Sequence, residues 1–228
     1  MVKNHLKTIT APKSWPINRK ESVFVTRAKP GAHKMELSLP LGLCLRNILN
    51  KAQTRKEAKN ILNNQELFVN NKRRKDVRKT VGIMDVIAIP KIDEYYRLLI
   101  NQKGKLFVLK IDKSEAQITL AKIMNKTNIA KGKTQINLSN GYNVVVEKDN
   151  YKTKDTIIFD LLKKQIREIL PFEKGSTILI VEGKSIGKIA KIVDFKGNQI
   201  IFEYEKKQYE TTKNYAFVIG KDKPIIKV

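Results

Sequence analysis

Positively charged side chains in two neighbouring stretches are the first residues whose types and spacing suggest a chemistry. Arg55, Lys56 and Lys59 lie in one stretch, and Lys72-Arg73-Arg74-Lys75 follows an Asn70-Asn71 turn. Clustered cations suit phosphate oxygens, which receive most protein–nucleic acid hydrogen bonds. An isolated charge run is more often a solvated surface. Two runs on adjoining elements of one small unit instead favour a phosphate-binding site.

Two short helices and a hairpin are predicted to position these cations. Apolar residues at mostly three- and four-residue spacing predict a first helix over Leu41–Leu49. Thr54 and Glu57 have the spacing of a capping box, in which the Thr54 hydroxyl accepts the backbone N–H of Glu57 at the start of a second helix. A strand at 67–69, the asparagine turn and a closing strand at 86–89 complete the unit.

Other chemistries are not favoured by the sequence. Cys44, the single cysteine, is expected to be a buried apolar residue, so neither an internal disulfide nor a Cys/His zinc site is predicted. His5 and His33 have no Cys or Ser partner nearby in the sequence. Gly183-Lys184-Ser185 resembles the end of a phosphate-binding loop, but Ile178 stands where that loop needs glycine. We therefore predict no catalytic residue, no metal and no cofactor.

The charge balance points to a polyanionic partner. The 228 residues include 46 basic and 22 acidic ones, which gives a net charge of +24 and a pI near 10.0. The excess is spread evenly, since residues 1–90 hold 19 basic and 6 acidic side chains and residues 91–228 hold 27 and 16. No apolar stretch has the length of a membrane span, and no signal-peptide core is present. A reducing, intracellular setting is expected from the cysteine content.

Residues 1–40 show little periodicity. Prolines flank Trp15, the only tryptophan, and cations surround it. Such a segment is extended or turning, because proline is incompatible with a helix interior. A disordered tail is one interpretation. We favour a segment docked between protein and RNA, because a free tail seldom exposes groups as large as Trp15 and Ile17.

The chain beyond Pro90 has the pattern of short strands. Tyr96–Ile100 and Leu106–Leu109 predict a hairpin, Asn140-Gly141 marks another turn, and 148–154 predicts a polar loop. Further strands are predicted at 117–123, 134–138, 142–146, 156–162, 195–202 and 209–212. The stretch 156–162 is also compatible with a short helix. Strands at this spacing are typical of a small barrel or sandwich.

Several blocks resemble one family. One block consists of Arg55–Lys59 with Ile61-Leu62, followed by Val69, Lys72, Arg74-Lys75-Asp76 and Val81–Ile87. This block resembles an S4-type RNA-binding domain, in the version found in the S4e family of archaeal and eukaryotic small-subunit ribosomal proteins. Asn71 stands where that family usually has glycine, and asparagine is the next best residue for a left-handed turn. The same family is resembled by the Trp15 segment and by Pro30–His33, Leu39–Leu41, Tyr96-Arg97, Leu170–Gly175 and Asn214–Ile225.

A basic glycine turn near the C-terminus resembles a KOW motif, a small five-stranded RNA-binding barrel. Two predicted strands, 178–181 and 189–193, flank Lys184, Gly187 and Lys188. The residues alone fit a simple hairpin equally well. Glu182 stands where the family usually has glycine, and its negative charge beside the turn weakens the expected contact with RNA.

The resemblance implies an α+β, mostly β, multi-domain fold. It consists of an N-terminal segment (1–40), a small S4-type RNA-binding domain (41–91), a central β domain (92–171), a KOW-type β-barrel (172–212) and a C-terminal extension (213–228).

The resemblance also implies a non-enzymatic structural constituent of the small ribosomal subunit in the cytoplasm. Its partners would be small-subunit ribosomal RNA, bound through phosphate and shape, and neighbouring ribosomal proteins, with no membrane and no small-molecule substrate. The residues predicted to contact RNA are Lys7, Lys13, Trp15, Arg19, Lys20, Arg27, Lys51, Arg55, Lys56, Lys59, Lys72, Arg73, Arg74, Lys75, Lys79, Lys184 and Lys188. One alternative is a KOW- and S4-bearing assembly or transcription factor. An RNA-modifying enzyme is a less favoured alternative, because roughly eighty residues would remain for its catalytic domain, which is too few.

Overall fold

The computed structural model describes residues 5–64, 67–147 and 150–228, and it is mostly β with few helices. The chain divides into two compact units, one formed by residues 1–100 and 104–116 and the other by 101–103 and 117–228. Part of the predicted polar loop, residues 148–149, lies outside the described residues. Among the described helices, none has the length and apolar character needed to cross a membrane.

The helices of the first unit lie where the apolar spacing predicted them. Helix α1 (Leu41–Leu43) continues directly into a π-helical turn, Cys44–Ile48, and the run buries Leu41 and Leu45. Helix α2 spans Arg55–Asn64 and buries Ala58 and Leu62. The remaining positions of α2 are mostly exposed, as expected for a surface helix with one apolar side.

Antiparallel strands form the rest of the first unit. The main sheet has the order β5–β4–β7–β8–β9, and β1 pairs with β2 and β3 with β6. In chain order, β1 to β9 span Leu6–Lys7, Phe24–Val25, Ser38–Pro40, Phe68–Val69, Lys72–Arg73, Thr80–Gly82, Val86–Ile89, Glu94–Ile100 and Leu106–Ile111. Single 3-10 turns lie at Thr8–Thr10, Met35–Leu37 and Pro90–Ile92.

The predicted hairpin after Pro90 is confirmed, but it belongs to the sheet of the first unit. Strand β8 pairs with β7 from Val86 opposite Arg97 to Ile89 opposite Glu94, and β9 pairs with β8. The predicted boundary at 91/92 therefore falls inside one sheet, whereas the compact units separate at 116/117. The predicted boundary fails because the tight turn at 90–92 returns the chain alongside β7. Strand β8 then pairs with an edge of β7 that would otherwise be unpaired.

A buried polar cluster fastens the N-terminal segment to the first unit. The Asp85 carboxylate accepts the backbone N–H of Gly82 at 2.8 Å and the Asn70 side-chain amide at 2.6 Å. Nε2 of His33 lies 3.1 Å from the same carboxylate. Burial acts to lower the pKa of His33 and Lys79 adds a smaller lowering, but the Asp85 carboxylate outweighs both and the pKa is raised above its ordinary value.

The second unit contains two antiparallel five-stranded sheets. Their orders are β12–β11–β10–β13–β14 and β18–β17–β16–β15–β19. In chain order, β10 to β19 span Ile118–Ile129, Lys133–Leu138, Asn143–Val146, Thr156–Asp160, Gln165–Leu170, Thr177–Ile180, Ile189–Lys196, Gln199–Tyr204, Lys207–Thr212 and Ala216–Gly220. The stretch at 156–162, for which a short helix was the alternative, contains a buried strand.

Lys122 joins the two sheets of the second unit. It lies in β10, is buried, and its ammonium donates to the carbonyls of Lys213, Asn214 and Ala216 at 3.3, 3.0 and 2.7 Å. These carbonyls belong to the chain that leads into and begins β19. Burial lowers the pKa of Lys122 to about 8, and the nearby charge of Lys154 acts in the same direction. The Lys122 ammonium thus connects the two sheets through three hydrogen bonds, whereas an apolar side chain would connect them by packing alone.

Replacing His33 should change the free energy of unfolding in a pH-dependent way. The folded-state pKa of His33 lies above its unfolded value of about 6.5, so its ion pair with Asp85 stabilises the fold fully below that pH and loses this effect as pH rises through the folded pKa. We expect His33→Gln to destabilise by about 1–2 kcal/mol at pH 5.5 and by less at pH 8.5. Urea unfolding across this range measures the difference, and His5→Gln controls for loss of an exposed histidine. A deficit independent of pH would contradict the assignment.

Replacing Lys122 should destabilise the second unit. Lys122→Met retains the aliphatic length but leaves three carbonyls without their donor, and we expect a loss of about 2–4 kcal/mol. Thermal unfolding followed by circular dichroism measures it. Lys163→Met, at an exposed position, is the matched control and should change stability by no more than about 0.5 kcal/mol. Equal effects of the two substitutions would show that the carbonyl contacts contribute little.

Candidate nucleic-acid interface

The capping box of α2 forms as predicted. The backbone N–H of Glu57 donates to the Thr54 hydroxyl at 3.2 Å, and the Thr54 hydroxyl donates to the Glu57 carboxylate at 2.8 Å. The carboxylate also reaches back to the backbone N–H of Gln53 at 2.8 Å. These bonds, led by that from Gln53, lower the pKa of Glu57. The start of α2 is thus fixed by its own residues.

The cations of α2 are not placed to stabilise the helix. Arg55 and Lys56 occupy the first turn, where the helix dipole disfavours positive charge by a few tenths of a kcal/mol or more. Arg55, Lys56 and Lys59 are exposed, and none forms an ion pair with a carboxylate in the described part of the chain. A phosphate at this end would meet both the helix N-terminus and the side-chain cations.

The asparagine turn orders the second basic run. Asn70 and Asn71 have φ values of 48° and 58°, so both are left-handed, as the sequence predicted for Asn71. The side-chain carbonyl of Asn70 accepts the backbone N–H of Val86 at 2.9 Å. Strand β5 then pairs Lys72 with Val69 across the hairpin. The asparagine in place of glycine therefore preserves the turn.

Helix α2 and the basic hairpin are bonded to each other. The Arg73 guanidinium donates to the Asn63 carbonyl in the last turn of α2 at 3.2 Å. Lys91 donates to the neighbouring carbonyl of Asn64. Cations at a helix C-terminus satisfy its free carbonyls and complement its dipole. One predicted RNA-contacting residue, Arg73, therefore also holds the basic hairpin against the basic helix.

The other members of the basic run differ in exposure. Lys75 is exposed, whereas Arg74 is half-buried and its Nε has no hydrogen-bond partner among the described residues. Lys51 is exposed but forms an ion pair with Glu94 at 2.8 Å. Arg46, which the prediction omitted, is exposed, and its guanidinium donates to the Gln53 carbonyl just before α2. An arginine at a polar position late in the first helical run was the signal for it.

Arg19 organises the N-terminal loop. Its guanidinium donates to the carbonyls of Thr8, Ile9, Ala11 and Pro12 at distances of 2.9–3.1 Å. Four bonds to main-chain carbonyls use the donors that a phosphate contact would need. Arg19 is therefore a structural residue in this conformation, whereas the other predicted cations of the segment up to residue 20 are exposed, namely Lys7, Lys13 and Lys20.

Trp15 corrects one predicted RNA contact. Its side chain is 0% exposed, and the indole N–H donates to the carbonyls of Ser38 and Met35 at 2.8 and 3.2 Å. A fully buried ring offers no surface to a nucleic acid. Trp15 instead anchors the N-terminal segment in the core of the first unit. The expectation that this large aromatic group docks the segment on the protein agrees with the structure, whereas the expected contact of the ring with RNA does not.

Arg27 and Lys79, the remaining candidates of the first unit, are half-buried. The Arg27 carbonyl accepts the Arg78 guanidinium at 3.2 Å, which ties the N-terminal segment to the chain before β6. Lys29 forms an ion pair with Asp76 in the same region. Several cations here are thus engaged in holding the segment, in contrast to those of α2.

The glycine turn between β15 and β16 presents one exposed cation and one engaged cation. Lys184 is exposed. The Lys188 ammonium lies 4.5 Å from the ring centre of Tyr204 and 4.6 Å from that of Tyr209, within the range of cation–π attraction. Gly183 has a φ of +92° in this turn, a conformation that favours glycine.

The groups that could carry other chemistry are engaged or inaccessible. Cys44 is buried, and burial raises the pKa of its thiol to about 12, so the nucleophilic thiolate does not form at neutral pH. His33 is held by Asp85. Within residues 5–64, 67–147 and 150–228, no three or more His, Cys, Asp or Glu side chains are grouped as metal ligands would be.

Comparison with protein families gives two matches in different parts of the chain. A family model described as "Ribosomal family S4e" matches residues 92–166. A second, described as "RS4NT (NUC023) domain", matches residues 2–36. The crystal structure of the 30S ribosomal protein S4e from Thermoplasma acidophilum is similar to this fold, with a TM-score of 0.71 at 25% identity, over 81% of this chain and 96% of that one.

Curated relatives cover almost the whole chain. The small ribosomal subunit protein eS4 of Methanosphaera stadtmanae is 41% identical over 230 residues, which are 98% of this chain and 95% of that protein. The protein of the same name from Methanocaldococcus jannaschii is 37% identical over 240 residues, 99% of this chain and 98% of that protein. Since identity well above 30% extends over nearly the full length, the chain belongs to the S4e family of ribosomal proteins.

Proposed function

We propose that the chain is a structural constituent of the small ribosomal subunit, where it binds small-subunit ribosomal RNA through phosphate and shape contacts. The observation that carries this proposal is the group of exposed cations on α2, Arg55, Lys56 and Lys59, which have no carboxylate partners in the described chain. The last turn of the same helix accepts a hydrogen bond from Arg73 of the second basic element. The similarity to small-subunit proteins over nearly the full length supports the same assignment.

The charge distribution favours backbone and shape recognition over base reading. Lysines outnumber arginines 37 to 9. Lysine acts on phosphate as a point charge, whereas arginine is the residue that reads guanine edges through two parallel bonds. A protein that fastens folded RNA needs many phosphate contacts and little sequence selectivity, and this composition supplies them.

We further propose the domain roles implied by the family resemblance. Residues 41–91 act as an S4-type RNA-binding domain, and the β8–β9 hairpin adds two strands to its sheet. The part of 92–171 that follows this hairpin forms the central β domain. The sheet β15–β19 acts as a KOW-type barrel. Because β19 (Ala216–Gly220) pairs with β15, this barrel extends beyond the predicted range 172–212 and includes the first part of the predicted extension 213–228. Lys184 is the residue of the barrel turn that we expect to reach RNA, because Lys188 already contacts two tyrosine rings.

The protein would act in the cytoplasm within the ribosome, without enzymatic activity, beside neighbouring ribosomal proteins. A factor that visits ribosomal RNA only during assembly is the second candidate, because the same cation cluster would serve both. Small subunits from the source cells, sedimented in high salt, separate the two. We expect the chain to remain in stoichiometric amount, held by contacts along its whole length. Its loss from the particle at moderate salt would favour the transient factor.

Removing the α2 cations together with Lys75 of the basic hairpin should weaken RNA binding and flatten its salt dependence. Each phosphate contact contributes about 0.7–0.9 to the slope of log affinity against log salt, so Arg55→Ala, Lys56→Ala, Lys59→Ala and Lys75→Ala together should reduce the slope by about 3. Filter binding of the full chain to a structured fragment of small-subunit RNA at several salt concentrations measures it.

The matched control removes the same charge from exposed lysines of the second unit that are not candidates. Lys152→Ala, Lys163→Ala, Lys207→Ala and Lys223→Ala fit this description, since all four side chains are exposed. Both quadruple variants should keep the unfolding temperature of the wild type. An equal loss of slope in both would mean that net charge, and not the α2 cluster, determines binding.

A further inference from the structure

The two-stranded ribbon of the N-terminal segment exposes a phenylalanine on its outer side. Phe24 in β2 is 54% exposed, and its neighbour Val23 is 67% exposed. Phe24 stands directly opposite Lys7 of β1 in the antiparallel register. Directly opposed residues project from the same side of such a pair. An aromatic ring and a cation thus lie side by side on one exposed face.

The ring is held in place although it is not buried. His5 contacts Phe24 edge-on, with ring centres 5.3 Å apart and planes at 80°. The Thr8 N–H donates to the Val23 carbonyl at 2.9 Å and extends the pairing of the ribbon. Arg19 fixes the chain just after β1 through its bonds to the Thr8 and Ile9 carbonyls. With this contact in place, Phe24 is still 54% exposed, so part of the ring is open to a ligand.

The surroundings are strongly cationic. Residues 5–29 contain six basic side chains and one acidic side chain, Glu21, which accepts a hydrogen bond from Asn18. Exposed Lys20 lies on the same segment as the ribbon. An apolar protein surface would gain nothing from this charge. A ligand with a flat apolar face joined to an anion satisfies both features, and a nucleotide is such a ligand.

We propose that Phe24 is a stacking platform for an unpaired nucleobase of an RNA strand whose phosphates are contacted by Lys7 and Lys20. The proposal rests on the RNA-binding function proposed above and adds the kind of RNA element that this segment takes. A base in a duplex has both faces covered by its neighbours, whereas an unpaired base offers a face to an aromatic side chain. The ribbon therefore selects single-stranded over paired RNA.

Substitution of Phe24 tests the platform in the full-length chain. The probes are a single-stranded 12-nucleotide oligouridylate and a blunt RNA duplex of the same length. Base–aromatic stacking predicts that Phe24→Ala weakens binding of the single strand by at least about fivefold and binding of the duplex by less than twofold. Val23→Ala, at the adjacent exposed apolar position, is the matched control and should leave both affinities within twofold.

Phe24→Trp provides a direct signal of stacking. The natural Trp15 is fully buried, so its emission is a constant background. We expect the single strand to quench the emission of the added tryptophan and to bind the variant as tightly as it binds the wild type. The duplex should leave the emission unchanged.

The proposal is overturned if Phe24→Ala affects both probes equally or neither, or if it reduces only association with other small-subunit proteins. If any of these results is found while wild-type binding to RNA still depends steeply on salt, the proposed RNA-binding function stands. If wild-type binding shows no steep salt dependence, both the stacking proposal and the proposed function are contradicted.

Discussion

Cations bonded to main-chain carbonyls hold the least regular parts of this protein. Arg19 closes the N-terminal loop through four carbonyls, and Lys122 joins two sheets through three. Arg73 caps the end of α2. Loops, helix ends and the first residues of strands leave carbonyls unpaired, and an ammonium or guanidinium supplies several donors to them at once. A chain with a net charge of +24 thus uses part of its excess charge internally.

This division separates two classes of cation that look alike in the sequence. Those that donate to carbonyls or carboxylates, such as Lys51 and Arg19, are constrained by the fold. Those of α2 are exposed, and two of them, Arg55 and Lys56, lie in the first turn of the helix, where positive charge is unfavourable. An external anion or salt would relieve the mutual repulsion among them. The structure therefore gives these residues a reason to bind phosphate that composition alone does not.

Local features were predictable because local physics determines them. The capping box of Thr54 and Glu57, the left-handed Asn70-Asn71 turn and the hairpin after Pro90 each depend on residues within a few positions of one another. The fate of Trp15 was not predictable, because its burial depends on the carbonyls of residues twenty or more positions away. The assignment of β8 to the first sheet likewise depends on which strand edge was left open.

Distant partners also explain why the candidate cations differ in role. A pattern of lysines and arginines gives the charge of a segment, but it does not show that Glu94 will lie beside Lys51 or that Tyr204 and Tyr209 will lie beside Lys188. Each such partner offsets or occupies a cation that could otherwise contact an anion, and it does so through contacts made only after the chain has folded. The candidate functional surface therefore consists of the cations that form no contacts within the described part of the folded chain. For this reason the exposed group on α2, and not the densest run of charge in the sequence, is the strongest candidate for the RNA contact.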